Sequence, residues 1–153
     1  AHVPEAGLPA VIHGDFHLDN TLASPNEPEI LAIIDWELAT VGDPYMDVAL
    51  MLMFWGEYRT QQPPAFAALQ SVSRRSGVIS RRELAGRWSE SVGRPLHHMN
   101  FYMALAFWRL AAIVEGAYGL FVAGQLTTDY ARGLEYDVPA LLAEAERAAK
   151  GDW

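Results

Sequence analysis

A dense group of polar side chains lies near the start of the chain, in the stretch HGDFHLDN at positions 13–20. The residues that could exchange protons or bind metal ions are His13, Asp15, His17, Asp19 and Asn20. Another carboxylate, Asp35, follows the next apolar segment. A carboxylate can accept the proton of a hydroxyl group, and carboxylate and amide oxygens are ligands that Mg²⁺ prefers. Because such groups are costly to bury behind Val11 and Ile12 without a use, the stretch is predicted to form a functional site.

Three of these residues occur in the order of the catalytic and metal-binding motifs of kinases. Asp15 and Asn20 fit the pattern H-x-D-x-x-x-x-N, and Asp35 fits a D-x-x motif at the end of a strand. In phosphoryl transfer, the first Asp accepts the proton of the acceptor hydroxyl, while the Asn and the second Asp hold Mg²⁺ on the phosphates. The spacing therefore favours transfer of a phosphoryl group from a nucleotide.

The same loop leaves two other interpretations open. In the first, His13, Asp15, His17 and Asp19 bind zinc or iron, and the protein is a metal-dependent hydrolase. Alternation along an extended chain would point these side chains in the same direction, but only Asp35 follows downstream as a further ligand. In the second, the chain is a non-catalytic interaction module that binds a partner.

Short strands are predicted to position the polar residues. Residues 10–12 are predicted to form a buried strand that leads into the loop, and residues 21–23 a second strand. The sequence SPNEP at 24–28 is typical of a turn. Residues 29–34 then form the returning strand, which ends at Asp35. The result is a small β-hairpin with carboxylates at its ends.

The remainder of the chain is predicted to be helical. Asp43 is placed as an N-cap with Pro44 in the first helical position, and Ser80 and Glu83 have capping-box spacing. Pro139 is expected in the first turn of the last helix. The predicted helices are 43–58, 64–76, 80–93, 98–123, 128–135 and 138–150.

The helix predicted at 98–123 is long and apolar enough to cross a bilayer. Arg109 and Glu115 lie within it, which favours a buried helix of a globular domain. Buried charges need partners. These two residues are therefore expected either to form ion pairs or to contact a substrate in an adjacent cleft.

Composition limits the class of protein. The 153 residues, 51% of them apolar, are enough for one compact domain spanning 1–153. The net charge of −8 argues against nucleic acid or a membrane surface as a partner. The absence of cysteine excludes disulfides, zinc–thiolate sites and thiol nucleophiles. No signal peptide is visible, and a cytoplasmic location is expected.

Three segments of the sequence resemble one family. The stretches VIHGDFHLDNTL and IIDWELATVGDPYMDVA are similar to the aminoglycoside phosphotransferase and choline kinase-like family, a branch of the protein-kinase-like fold. The stretch FYMALAFWRLAAIVEGAY resembles the kinase-like domains that are fused to, or encoded beside, acyl-CoA dehydrogenases. The resemblance covers about residues 8–149 and implies an α+β, mainly helical fold, with the hairpin carrying both motifs.

The resemblance also implies roles for individual residues. Asp15 would be the catalytic base, with His13 bracing the loop beside it. Asn20 and Asp35 would hold Mg²⁺ on the phosphates of ATP or GTP, and Asp47 would support the catalytic loop from the following helix. The acceptor would be a hydroxyl group on a small molecule, either aminoglycoside-like or hydroxyacyl-CoA-like.

The sequence departs from the family pattern upstream of His13. The family's first lobe supplies a loop that covers the nucleotide and a Lys–Glu pair, whereas the single lysine here is Lys150. The chain is therefore expected to be the C-terminal lobe alone, without the N-terminal nucleotide-binding lobe. As an isolated lobe it is expected to bind ATP weakly and to be inactive.

Overall fold

The computed structural model describes residues 3–5, 7–56 and 70–153. Within these ranges, short strands come first and helices follow. The strands are β1 (Ala10–Ile12), β2 (Thr21–Ala23), β3 (Ile30–Ile33) and β4 (Thr40–Gly42). The helices are α1 (Tyr45–Met53), α2 (Arg81–Val92), α3 (Met99–Val122) and α4 (Asp129–Ala149). The prediction of an α+β fold dominated by helices is confirmed.

The strands form two antiparallel pairs. β2 pairs with β3, with Thr21 opposite Ile33, which confirms the predicted hairpin. β1 pairs with β4, with Ile12 opposite Thr40. The sequence analysis does not predict β4, because a three-residue strand has too little pattern of its own and forms only through its distant partner. Together the two pairs hold both ends of the 13–20 loop and the segment that follows β3.

Helix α1 begins at Tyr45, directly after the predicted first position Pro44, and ends early. The Asp43 carboxylate accepts a hydrogen bond from the Tyr45 amide at 3.1 Å, so Asp43 caps the helix. The helix ends at Met53 instead of continuing to about Tyr58, which lies outside the described residues. The chain turns directly after the helix, and Gly56 adopts a left-handed φ of 76°, which an α-helix cannot accommodate.

The helix predicted at 64–76 is not seen in its described part. Residues 70–76 form turns. The Arg74 amide donates to the Gln70 carbonyl, as in an α-helix, but the next amide, that of Arg75, donates to the nearer Val72 carbonyl, so the helical pattern does not continue. Residues 64–69 lie outside the described ranges.

Helix α2 confirms a prediction made from its ends. The Ser80 hydroxyl accepts a hydrogen bond from the Glu83 amide at 3.2 Å, and the Glu83 carboxylate accepts one from the Ser80 amide at 2.8 Å. The helix ends at Gly93, whose left-handed φ of 66° makes it a C-cap. Both signals are local, so the sequence alone determines the bounds of this helix.

The pair of helices predicted at the C-terminus is one continuous helix. Thr128 caps α4 by accepting a hydrogen bond from the Ala131 amide at 3.2 Å, and the helix then continues through Pro139. The prediction of a break was wrong. Proline removes a single backbone donor and leaves the carbonyl of Glu135 without its helical partner. Both Pro139 and Glu135 are exposed, so water can satisfy that carbonyl.

Helix α3 packs between α1 and α4 and forms the centre of the core. Met103 and Phe107 are fully buried within it, in a cluster that includes residues of all four helices. The predicted burial holds for one side only, since Trp108, Ile113 and Val122 are largely exposed. By length and composition, α3 would also suit a membrane-spanning helix, and one stripe of it is buried against the other helices.

Helix α3 is also tied to α1 by a polar contact. The Tyr102 hydroxyl donates a hydrogen bond to the Asp43 carboxylate at 2.7 Å. Burial, reinforced by this bond to a carboxylate, raises the pKa of Tyr102 above its ordinary value. The phenol therefore remains protonated and keeps donating across the pH range in which proteins function.

Candidate functional site

Asp47 anchors the loop that follows β1. It lies in the first turn of α1 and accepts hydrogen bonds from the His13 amide at 2.6 Å and the Gly14 amide at 2.9 Å. Gly14 has a left-handed φ of 85°, and a Cβ at this position would overlap the Leu38 carbonyl oxygen. These are the contacts that a residue supporting the loop would make.

His13 links the loop to the strand that leads to Asp35. Its Nδ1 accepts a hydrogen bond from the Asp15 amide at 3.3 Å, so Nε2 carries the proton and donates to the Ile34 carbonyl at 2.8 Å. The ring is buried and lies 4.7 Å from the ring of Trp36, centroid to centroid. Both ring nitrogens are occupied, which fits a brace and leaves no lone pair for a metal or for proton transfer.

Asn20 joins the 13–20 loop to the hairpin. Its Nδ2 donates to the Asp15 carbonyl at 2.8 Å and makes a longer contact of 3.4 Å with the Asp15 carboxylate. The backbone carbonyl of Asn20 accepts a hydrogen bond from the Ile34 amide at 2.9 Å. The Asn20 Oδ1 has no partner among the described residues, so it is available to a ligand.

Asp35 follows directly after this contact and is exposed. It has φ 66° and ψ 54°, a left-handed conformation that costs about 1 kcal/mol for most residues other than glycine. No described residue bonds to its carboxylate. Because Ile34 is bonded to Asn20, Asp35 and Asn20 lie at the same end of the hairpin. Two hard oxygen donors at one end fit an Mg²⁺ ion that keeps several waters.

The Asp15 carboxylate faces outward. Its side chain is 40% exposed, and one oxygen lies 3.7 Å from the His17 Nε2. The His17 ring is mostly buried and packs against Phe54, with 5.1 Å between ring centroids. The loop therefore holds the Asp15 backbone while leaving the carboxylate accessible to a hydroxyl group, which is what a general base requires.

The hydrolase interpretation is not supported by this geometry. It needs His13 as a ligand, and both nitrogens of that ring are already hydrogen-bonded. Asp19 is exposed. Over the part of the chain that the structure describes, no three His, Cys, Asp or Glu side chains come together as a metal-binding group. The alternation of histidine and aspartate therefore does not create a ligand cluster.

Arg109 also contacts the loop, from α3. Its Nη1 donates to the Gly14 carbonyl at 2.9 Å. Neither of the expected ion pairs is formed with a described residue, and Glu115 is exposed to solvent. In the sequence, Arg109 is only recognisable as a charged residue in a long, mainly apolar helix. That position does not identify a partner so far away in the chain.

An apolar cleft of about 340 Å³ lies beside the brace. His13 and Asp47 border it, together with aromatic and aliphatic side chains from the strands and from α1 and α2. Asp15, Asn20 and Asp35 do not line it. A cleft with so few polar groups does not suit a triphosphate.

A family model and a solved structure that match this chain are both described as phosphotransferases. The model of the phosphotransferase enzyme family matches residues 1–83, more than half of the chain. The crystal structure of a Ralstonia eutropha protein assigned as an aminoglycoside phosphotransferase has a TM-score of 0.73 and 31% sequence identity. That match covers 94% of this chain and 43% of the other.

Two similar curated proteins are named after a different enzyme, acyl-CoA dehydrogenase. Acyl-CoA dehydrogenase family member 10 of mouse is 34% identical over 132 residues, and family member 11 of human is 33% identical over 121 residues. These matches cover 83% and 78% of this chain. The chain spans only 12% and 15% of the length of those relatives.

Proposed function

Because the chain belongs to the phosphotransferase enzyme family, we propose that it forms the catalytic lobe of a kinase that phosphorylates a small-molecule hydroxyl group with ATP or GTP. The observation that carries the proposal is the position of Asn20. This residue is hydrogen-bonded both to Asp15 and to Ile34, the residue before Asp35. Asp15 and Asn20 are therefore bonded to each other, and Asp35 follows directly after the residue that bonds to Asn20.

Asp15 is assigned as the general base. Its backbone is fixed on both sides, since its carbonyl accepts from Asn20 and its amide donates to His13. The carboxylate remains accessible and can orient an acceptor hydroxyl and take its proton. Catalysis of this kind depends mainly on positioning, so the rigid backbone and the open carboxylate each contribute.

Asn20 Oδ1 and the Asp35 carboxylate are assigned to Mg²⁺. Both are hard oxygen donors, and no described residue competes for them. The ion, when bound, would neutralise charge on the nucleotide phosphates. The left-handed conformation of Asp35 is an observed backbone outlier at a position with no structural partner, which supports a functional reason for it.

Two acceptor classes are proposed, each supported by one of the comparisons. The solved neighbour is assigned to aminoglycosides, and a net charge of −8 would attract a cationic acceptor of that kind. The curated relatives are named acyl-CoA dehydrogenase family members, which favours a hydroxyl on an acyl-CoA thioester. The proposed reaction is the same in both cases, because the group that reacts is an alcohol.

The test is nucleotide turnover by the natural full-length protein. ADP or GDP release from the Mg²⁺ nucleotide is measured with a panel of aminoglycosides and a panel of hydroxyacyl-CoA thioesters. Asp15→Asn is expected to lower kcat by about 10²- to 10⁴-fold. Asp19→Asn, an exposed aspartate in the same loop, is the matched control and should stay within about twofold of wild type.

Two outcomes would contradict the proposal. One is an Asp15→Asn variant that turns over as fast as wild type, which would remove Asp15 as the base. The other is a wild-type protein that releases no nucleoside diphosphate with either panel. A response to one panel only would identify the acceptor class.

A further inference from the structure

A chain of hydrogen bonds connects α3 to the strand before Asp35. Arg109 donates to the Gly14 carbonyl at 2.9 Å. The amide of the same peptide, which belongs to Asp15, donates to His13 Nδ1 at 3.3 Å. The opposite nitrogen of that ring donates to the Ile34 carbonyl at 2.8 Å. The Gly14–Asp15 peptide is thus held at its oxygen by Arg109 and at its nitrogen by His13.

Asp47 cannot replace this contact. It holds the amides of His13 and Gly14, which belong to the two preceding peptides. The next peptide follows glycine, whose backbone rotates more freely than that of any other residue. A separate anchor is therefore needed to fix the plane of the Gly14–Asp15 peptide, and Arg109 supplies one.

The energetics favour a strong bond at this point. Arg109 is partly buried on an otherwise apolar helix, and it forms no ion pair with a described residue. When a guanidinium is partly removed from water and has no carboxylate partner, its hydrogen bond to a carbonyl group, here that of Gly14, is strengthened. Hydrogen bonds from a charged donor are roughly twice as strong as neutral ones.

We propose that Arg109 is a positioning residue for the phosphotransfer reaction, acting through the Gly14–Asp15 peptide. This inference rests on the proposed function, since it assumes that Asp15 is the base. Without the guanidinium, the peptide plane rotates about Gly14 and carries the Asp15 carboxylate away from the acceptor. Loss of the bond also loosens the His13 contact to Ile34, next to Asp35.

Kinetics of the full-length protein provide the first arm of the test. Arg109→Met keeps an unbranched apolar stem and removes the donors, and Arg109→Lys keeps one charged donor. We expect Arg109→Met to lower the kcat of ADP release from Mg-ATP by about 10- to 100-fold, with KM for Mg-ATP within about threefold of wild type. Arg109→Lys should recover part of the loss, and the exposed Arg132→Gln control should match wild type.

NMR provides a second arm that does not depend on turnover. In Arg109→Met, the Asp15 amide should exchange with solvent at least about tenfold faster than in wild type. The ¹⁵N signals of the His13 ring should lose their fixed tautomer, with Arg109→Lys intermediate. These changes test the positioning role even if the wild-type protein turns over no nucleotide, a result that would count against the proposed function alone.

The inference is overturned if Arg109→Met keeps wild-type protection of the Asp15 amide and an unchanged His13 tautomer. It is equally overturned if kcat is unchanged or if the whole loss appears in KM. Should Arg109→Met fail to fold, Arg109→Gln is judged by the same criteria, because its amide is uncharged and too short to bring a donor to the position of the Arg109 Nη1.

Discussion

Two aspartates on different helices show opposite environments. Asp47 on α1 uses both carboxylate oxygens to accept backbone amides of the loop. Asp137 on α4 is completely buried, and neither of its oxygens has a partner among the described residues. Burial without compensation raises the pKa of Asp137 to about 6. The carboxylate that anchors the loop is thus satisfied, while α4 contains a buried acid without a partner among the described residues.

The two aspartates have opposite effects on stability: Asp47 stabilises the fold, and Asp137 destabilises it when it is ionised. At the loop, the Asp47 carboxylate, the His13 ring and the Asn20 Nδ2 are all hydrogen-bonded, so folding itself fixes the geometry. At α4, an ionised Asp137 would lose its hydration with nothing in return. Removing the carboxylate should therefore be harmful at the loop and beneficial on α4.

The largest effect is expected from Asp47→Ala. Two partly buried amides, those of His13 and Gly14, would lose their acceptor, at a cost of about 4 kcal/mol in the free energy of unfolding. Chemical denaturation of the full-length protein measures the loss, and Asp19→Asn is the control. A change below about 1 kcal/mol would show that Asp47 does not anchor the loop.

The next effect, of opposite sign, is expected from Asp137→Asn. The ordinary aspartate pKa of 3.8 applies to the unfolded chain, whereas the folded value is about 6. Between these values the folded state retains a proton that the unfolded state has released, so wild-type stability falls as the pH rises through this window. The loss reaches about 3 kcal/mol above pH 6, and the uncharged variant should not show it.

Denaturation at pH 4 and pH 8 measures this difference. Asp129→Asn, an exposed carboxylate on the same helix, is the control and should follow wild type. Tyr130, whose pKa is raised by burial and by the nearby Asp137, titrates well above this window. An Asp137→Asn variant with the same pH dependence as wild type would contradict the account.

The smallest effects are expected at two glycines, one in the loop and one on α4. Gly14→Ala places a Cβ against the Leu38 carbonyl at a left-handed φ and should cost about 2 kcal/mol. Gly133→Ala lies in α4 with open space around its Cβ and should stabilise by about 0.5–1 kcal/mol. Thermal melts of both variants check the signs. Equal shifts in the same direction would show that the two glycines are not distinguished by their surroundings.

The elements predicted correctly from the sequence are those whose signals are local. The Ser80–Glu83 capping box and Gly93 determine both ends of α2, and turn residues determine the β2–β3 hairpin. The family resemblance named Asp15, Asn20 and Asp35 because kinase motifs have fixed spacing. Their roles remain predictions until the variants are measured.

What could not be predicted depends on contacts between distant parts of the chain. β4 exists because it pairs with β1, and α4 continues through Pro139 because that position faces water. Arg109 reaches Gly14 only when α3 is packed beside the loop. None of these arrangements leaves a local pattern, so only the three-dimensional structure reveals them.

The central claim is that Asn20 and Asp35, and not the alternating histidines and aspartates, provide the metal ligands. The most direct test uses Mn²⁺ with ADP as a paramagnetic probe on the full-length protein, followed by NMR. We expect broadening centred on Asn20 and Asp35, and its loss in Asp35→Asn. Broadening that persists in Asp35→Asn and is lost in Asp19→Asn would contradict this assignment.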